Sequence, residues 1–134
     1  MTHTSPSKRI LCVEDDLDTC EILQILLREY DLIFANKLED AHPLIDDQTF
    51  DLYMLDNRLP DGSGIDLCQT IRSRHPGSPI IFTSAVGMKK DLDEAAAAGA
   101  DRYLLKPCEP DALIKVVKEL IEKDEKSINA EVRA

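Results

Sequence analysis

The chain lacks a basic surplus, a paired-cysteine motif and any apolar run of membrane-spanning length, and each absence removes a class of function. Sixteen Lys and Arg stand against 26 Asp and Glu, a net charge of −10. That balance repels phosphate backbones and removes the attraction that dominates nucleic-acid binding, so no direct DNA or RNA partner is expected. Cys12, Cys20, Cys68 and Cys108 form no C-x-x-C pair. Cys12 and Cys68 fall in apolar patterns that predict packed thiols, and no Cys/His spacing supports zinc. A reduced, cytoplasmic compartment fits them. Residues 1–8 are Ser/Thr-rich without an apolar stretch, and neither an export signal nor membrane insertion is expected.

What is present is the rhythm of a βα protein. At 134 residues the chain has room for one domain, about 14 Å in radius of gyration if compact. Short apolar runs alternate with helical-period segments, which predicts repeated βα units and a parallel sheet covered on both faces. Strands are expected at Arg9 to Val13, Leu32 to Ala35, Leu52 to Leu55, Ile80 to Thr83 and Arg102 to Leu105. Helices are expected from Leu17 to Tyr30, with Ile22, Leu23, Leu26 and Leu27 on one stripe and Asp16 as cap, and from Leu38 to Asp47, where Pro43 is tolerable only near the first turn. Further helices are read from Ile65 to Arg74, from Lys89 to Ala98 with Gly99 as C-terminal cap, and from Pro110 onward. The domain spans 9–122, between a flexible segment 1–8 and a polar tail 123–134. His3, His42 and His75 show no partner pattern and read as surface residues.

The chemistry sits at the strand ends. Glu14-Asp15, Asp56, Ser84 and Lys106 each follow an apolar run, and in open α/β sheets ligands bind beyond the carboxyl ends of the strands. Three carboxylates brought together repel one another, by about 4 kcal/mol for two charges 4 Å apart at an effective dielectric of 20. A cation must offset that repulsion, and a few oxygen ligands with room for water suit Mg²⁺. Lys106 offers a point charge for a phosphoryl oxygen, Ser84 a hydroxyl donor, and Asp56 an oxygen nucleophile able to form an acyl phosphate.

These residues resemble the receiver domains of two-component response regulators, including the chemotaxis receivers. The acidic pair in Ile10-Leu11-Cys12-Val13-Glu14-Asp15-Asp16, the acceptor in Leu55-Asp56-Asn57-Arg58-Leu59-Pro60-Asp61-Gly62-Ser63-Gly64, Ser84-Ala85 and Lys106-Pro107 stand in family order. The resemblance covers roughly residues 8 to 122. It implies a flavodoxin-like (βα)5 fold, a doubly wound five-stranded parallel sheet of order 2-1-3-4-5. It implies Asp56 as phosphoacceptor, Glu14, Asp15, Asp56 and the backbone carbonyl of Arg58 as Mg²⁺ ligands or their positioners, and Ser84 and Lys106 as phosphoryl contacts. Tyr103 is similar to the aromatic switch that follows the hydroxyl residue, and Lys106-Pro107 to a peptide bond that is often cis.

By the same resemblance, the phosphoryl donor is a histidine kinase or histidine phosphotransfer protein, and the output is a downstream effector or a phosphorylation-dependent dimer. The protein is then not a turnover enzyme, since it catalyses only its own phosphorylation and dephosphorylation. Two alternatives stand beside this reading. A haloacid-dehalogenase-like Mg²⁺-dependent phosphatase also uses an aspartyl phosphate, but Arg58 occupies the place of its second acid. A phosphorylation-independent scaffold would not need the full acceptor set. Arg58 and Val86 carry no carboxylate or amide to orient an attacking water, which implies slow self-dephosphorylation. Cys108 stands where relatives often have phenylalanine, so packing below the last loop is expected to differ.

Overall fold

Strands buried on both sides need apolar residues at nearly every position rather than at alternate ones, and Leu52 to Leu55 and Ile80 to Phe82 meet that demand with at most 2% exposure. The computed structural model describes residues 7–85 and 87–133, with side chains as far as 123. In chain order the elements are β1 (Arg9–Val13), α1 (Leu17–Leu26), β2 (Asp31–Ala35), α2 (Leu38–Asp47) and β3 (Leu52–Asp56). A small hairpin of β4 (Arg58–Leu59) and β5 (Gly62–Ser63) leads into α3 (Gly64–Arg74), followed by β6 (Ile80–Ser84), α4 (Lys89–Ala98), β7 (Arg102–Leu105) and α5 (Pro110–Arg133). The main sheet is parallel, ordered β2-β1-β3-β6-β7, which is 2-1-3-4-5 counted over its own strands.

Strand alternation divides the core into two layers. Leu11, Val13, Tyr53, Leu55, Ile80 and Phe82 meet Ala41 and Ile45 of α2, Leu67 and Ile71 of α3 and Ala95 of α4. Ile10, Cys12, Leu52, Met54 and Ile81 meet Leu23 of α1 and Leu113, Val117 and Leu120 of α5. Each fully buried Leu, Ile or Phe contributes about 1.5–3 kcal/mol, so these two layers hold the sheet edge that carries the site. All four thiols are free, and Cys12, Cys20 and Cys68 are buried as packed groups.

Two helices depart from their sequence reading. α1 ends at Leu26, not Tyr30, because Asp31 must pair with β1 and its N–H donates to Lys8 O at 2.8 Å. Its buried stripe is also rotated: Cys20, Leu23 and Leu27 face the core, while Ile22 is 55% exposed. Pro43 lies inside α2 beyond the first turn. The carbonyl it leaves without an intrahelical partner is that of Glu39, an exposed residue that water can reach. Both expected helix caps are present. Asp16 caps α1 by accepting from Thr19 N at 3.2 Å, and Gly99 ends α4 at φ 107°. α5 continues through the polar segment after 122 to Arg133. Residues 1–6, which include His3, together with Val86 and Ala134, lie outside the described residues.

His75 is more than a surface residue. Its Nε2 lies 3.1 Å from Ile45 O, and its ring stacks on Tyr53 with centroids 6.1 Å apart.

Candidate functional site

β3 and β6 each run one residue further than the strands read from the sequence, so Asp56 and Ser84 are the last residues of their strands. The ladder therefore carries both side chains to the carboxyl edge. Asp56 pairs in register with Thr83, and Ser84 with Leu105. Glu14 and Asp15 leave β1 at the same edge. The Glu14 N–H donates to Ala35 O at 2.9 Å, and Asn36 Nδ2 donates to Glu14 O at 2.8 Å, which holds this turn against β2.

One carboxylate oxygen from each of Glu14, Asp15 and Asp56 lies within 4.8 Å of the others. Glu14 is 3% and Asp56 8% exposed, while Asp15 faces solvent. This donor set is all oxygen and open on one side, which fits a Mg²⁺ ion that keeps part of its water. Lys106 follows β7, and its N–H donates to Ser84 O at 2.8 Å. Its ammonium donates to Glu14 Oε1 and, at 3.3 Å, to Asp56 Oδ2. The Lys106-Pro107 bond is cis, as the resemblance implied.

Burial pushes the Glu14 carboxyl above its ordinary range, opposed by hydrogen bonds from Lys106 and the Asp16 N–H. Burial also disfavours the Lys106 charge, but its hydrogen bond to Glu14 and the nearby Asp56 outweigh that and raise the ammonium's pKa. The lysine is thus firmly cationic in the crevice.

The segment after Asp56 is an ordered hairpin rather than a plain turn, with Arg58 paired to Ser63 and Leu59 to Gly62. Arg58 N donates to Asp56 Oδ1 at 3.3 Å, and Gly64 N to Asn57 O at 3.0 Å. Ser63 caps α3 through Ile65 N at 3.1 Å. Arg58 is exposed, and its side chain does not join the carboxylates. Tyr103 is partly buried, its ring stacked 6.2 Å from Phe82. Thr83, the neighbour of Ser84, lines a space that Lys106 also borders. That space is a largely apolar cavity of about 390 Å³ between α1 and α5, which also reaches Ile22, Leu26, Pro107 and Cys108.

Sequence reasoning missed Asp61. Its carboxylate accepts from Leu38 N at 2.8 Å and Glu39 N at 3.0 Å, capping a helix whose own preceding residue, Lys37, makes no side-chain cap. The one available signal was Lys37 itself, at a position where Ser, Thr, Asp or Asn is favoured.

An open parallel sheet with a carboxylate cluster and a lysine at its carboxyl edge defines a class of α/β protein suited to binding a cation and a phosphoryl group. The chain belongs to the response regulator receiver domain family, whose model matches residues 10–118. It is 38% identical over 112 residues to the response regulator protein PilR of Pseudomonas aeruginosa, covering 82% of this chain and 25% of that one. It is 36% identical over 115 residues to the transcriptional regulatory protein ZraR of Escherichia coli strain K12, covering 84% of this chain and 26% of that one. The chain therefore spans about a quarter of the length of these curated relatives. The crystal structure of a CheY-like receiver domain from Methanospirillum hungatei JF-1 superposes with a TM-score of 0.85 at 28% identity, over 90% of this chain and 98% of that one. Phosphorylation-based switching is the general function of the family, whose members are regulatory rather than turnover enzymes.

Proposed function

We propose that this receiver takes a phosphoryl group from the phosphohistidine of a histidine kinase or phosphotransfer protein onto Asp56. The observation that carries the reading is the convergence of Glu14, Asp15 and Asp56 within 4.8 Å, with the Lys106 ammonium beside Asp56. Glu14, Asp15, Asp56 and the Arg58 carbonyl are the groups that would hold Mg²⁺. The ion, when bound, neutralises phosphoryl oxygens so that an anionic carboxylate can approach them.

In the transfer, an Asp56 carboxylate oxygen forms a bond to phosphorus while the phosphorus–nitrogen bond of the donor breaks, and the electron pair leaves with the imidazole, which takes up a proton. Lys106 and Ser84 then contact the transferred group, the first by charge and the second by its hydroxyl. Such in-line transfer depends mainly on positioning.

The phosphoryl contacts bias a two-state equilibrium through Ser84 and Tyr103 toward α4, β7 and α5. Met88, Leu92 and Leu105 are exposed along α4 and β7, which suits an effector or a second receiver. We place the protein in the cytoplasm, where its kinase and its free thiols would meet. Among the described residues no helix is long and apolar enough to cross a membrane.

Intact-mass measurement after incubation with acetyl phosphate and Mg²⁺ tests the reading. One added phosphoryl group is expected, absent in Asp56→Asn and absent after chelation. Sustained release of phosphate from simple phosphomonoesters would instead support the phosphatase alternative.

A further inference from the structure

The acceptor hairpin is fastened at its tip to a helix on the neighbouring βα unit. Asp61 binds two of the free N–H groups at the start of α2, those of Leu38 and Glu39, through its two carboxylate oxygens at 2.8 and 3.0 Å. Gly62 follows at φ 149°, a backbone region that side chains rarely adopt, and a Cβ there would lie 2.7 Å from Leu38 Cδ1. The tip is therefore held by a bidentate cap at Asp61, with the Leu38 side chain packed against the backbone of the next residue.

The hairpin transmits that anchorage to its other end. Gly62 pairs with Leu59, and Ser63 pairs with Arg58; Leu59 is 8% exposed and packs in the core layer that includes Ala41 and Ile45 of α2. Arg58 in turn donates its N–H to Asp56. We propose that Asp61 is a positioning residue for the metal and phosphoryl site, holding the Arg58 carbonyl in place by clamping the hairpin to the first turn of α2. The proposal rests on the reading of Arg58 as a carbonyl ligand given under Proposed function.

A residue that merely stabilised α2 would affect folding and nothing else. A positioning residue affects Mg²⁺ affinity as well, because an outer group that orients a ligand sets how well the ligand fits the ion. The cap also makes the two events reciprocal: whatever orders the hairpin also protects the first turn of α2.

The test is Mg²⁺ titration calorimetry on the full chain, with amide exchange at Leu38 and Glu39 measured alongside. Asp61→Ala is expected to raise the Mg²⁺ Kd about tenfold, the low end of what loss of a ligand-orienting residue costs, and to speed exchange at both amides. Asp61→Asn removes the charge but keeps an acceptor oxygen, so recovery of affinity there separates positioning from charge. Asp47→Gly loosens the exposed last turn of α2, away from the Asp61 cap, and should leave Mg²⁺ affinity at the wild-type value. Unchanged affinity in Asp61→Ala, or an equal loss in Asp47→Gly, overturns the proposal. Asp56→Asn keeps the two readings apart: if it weakens Mg²⁺ binding while Asp61→Ala does not, the clamp alone fails, and if it binds as wild type does, the site reading fails and the clamp with it.

Discussion

Lys106 and Glu14 stand 92 positions apart in the chain, yet the ammonium of one donates to the buried carboxylate of the other. The same ammonium reaches Asp56, so two acids of the cluster share one positive charge. Replacing Lys106 by Met leaves Glu14, at 3% exposure, without its cation. Breaking a fully buried pair costs about 3–5 kcal/mol. Lys106 keeps 23% of its side chain exposed, so we expect a loss nearer 2 kcal/mol. Urea unfolding without metal measures it. Added Mg²⁺ should restore part of the loss by supplying another cation.

Gly64 seats α3 against β3, the strand that ends in Asp56. A Cβ at this position would lie 2.3 Å from Asp56 O and 3.0 Å from the Phe82 ring, neither of which can swing away. Gly64→Ala is expected to cost about 1–3 kcal/mol, as overpacking usually does, and to slow acetyl-phosphate labelling of Asp56. Thermal unfolding and labelling rates check the two effects separately.

On the proposed reading, the acyl phosphate on Asp56 is expected to be long-lived. Arg58 and Val86 flank the acceptor and the hydroxyl residue in sequence without a group able to orient water. Arg58→Asn with Val86→Glu is expected to shorten the lifetime about tenfold, a modest share of the 10²–10⁴ available to a positioned acid or base. Unchanged decay of the labelled protein would refute the assignment.

Asp61 predicts a particular acid limb. Its hydrogen bond from Leu38 N, with that from Glu39 N, holds the carboxyl below its ordinary 3.8. A depressed folded pKa means that the unfolded chain binds the proton first as pH falls. The contribution is complete above 3.8 and is lost as pH drops through the lower folded value. Wild type should therefore exceed Asp61→Ala in Tm at neutral pH, with the gap closing below pH 3.8. A gap that stays constant into acid would show that the cap works without its charge.

Much of the site was legible because its residues are defined locally. Each of Glu14, Asp15, Asp56, Ser84 and Lys106 follows an apolar strand, and parallel topology sends every such end to one edge. The hairpin after Asp56 was less legible. Leu59 to Gly64 reads as generic turn chemistry, and nothing local says that Arg58 and Ser63 pair. α1 shows the limit of periodicity: Ile22 fits a helical stripe as well as Cys20 does, and only the docked orientation chooses between them.

The amino-acid sequence by itself determined the βα rhythm, the strand order through family resemblance and the residue types at the sheet's edge, because these depend on short-range patterns that survive without knowledge of packing. Only the tertiary structure decided that Lys106 neutralises Glu14, that Asp61 caps a helix from another unit, and which face of α1 is buried. Those choices belong to contacts between segments far apart in the chain, and they are made when the helices dock on the sheet.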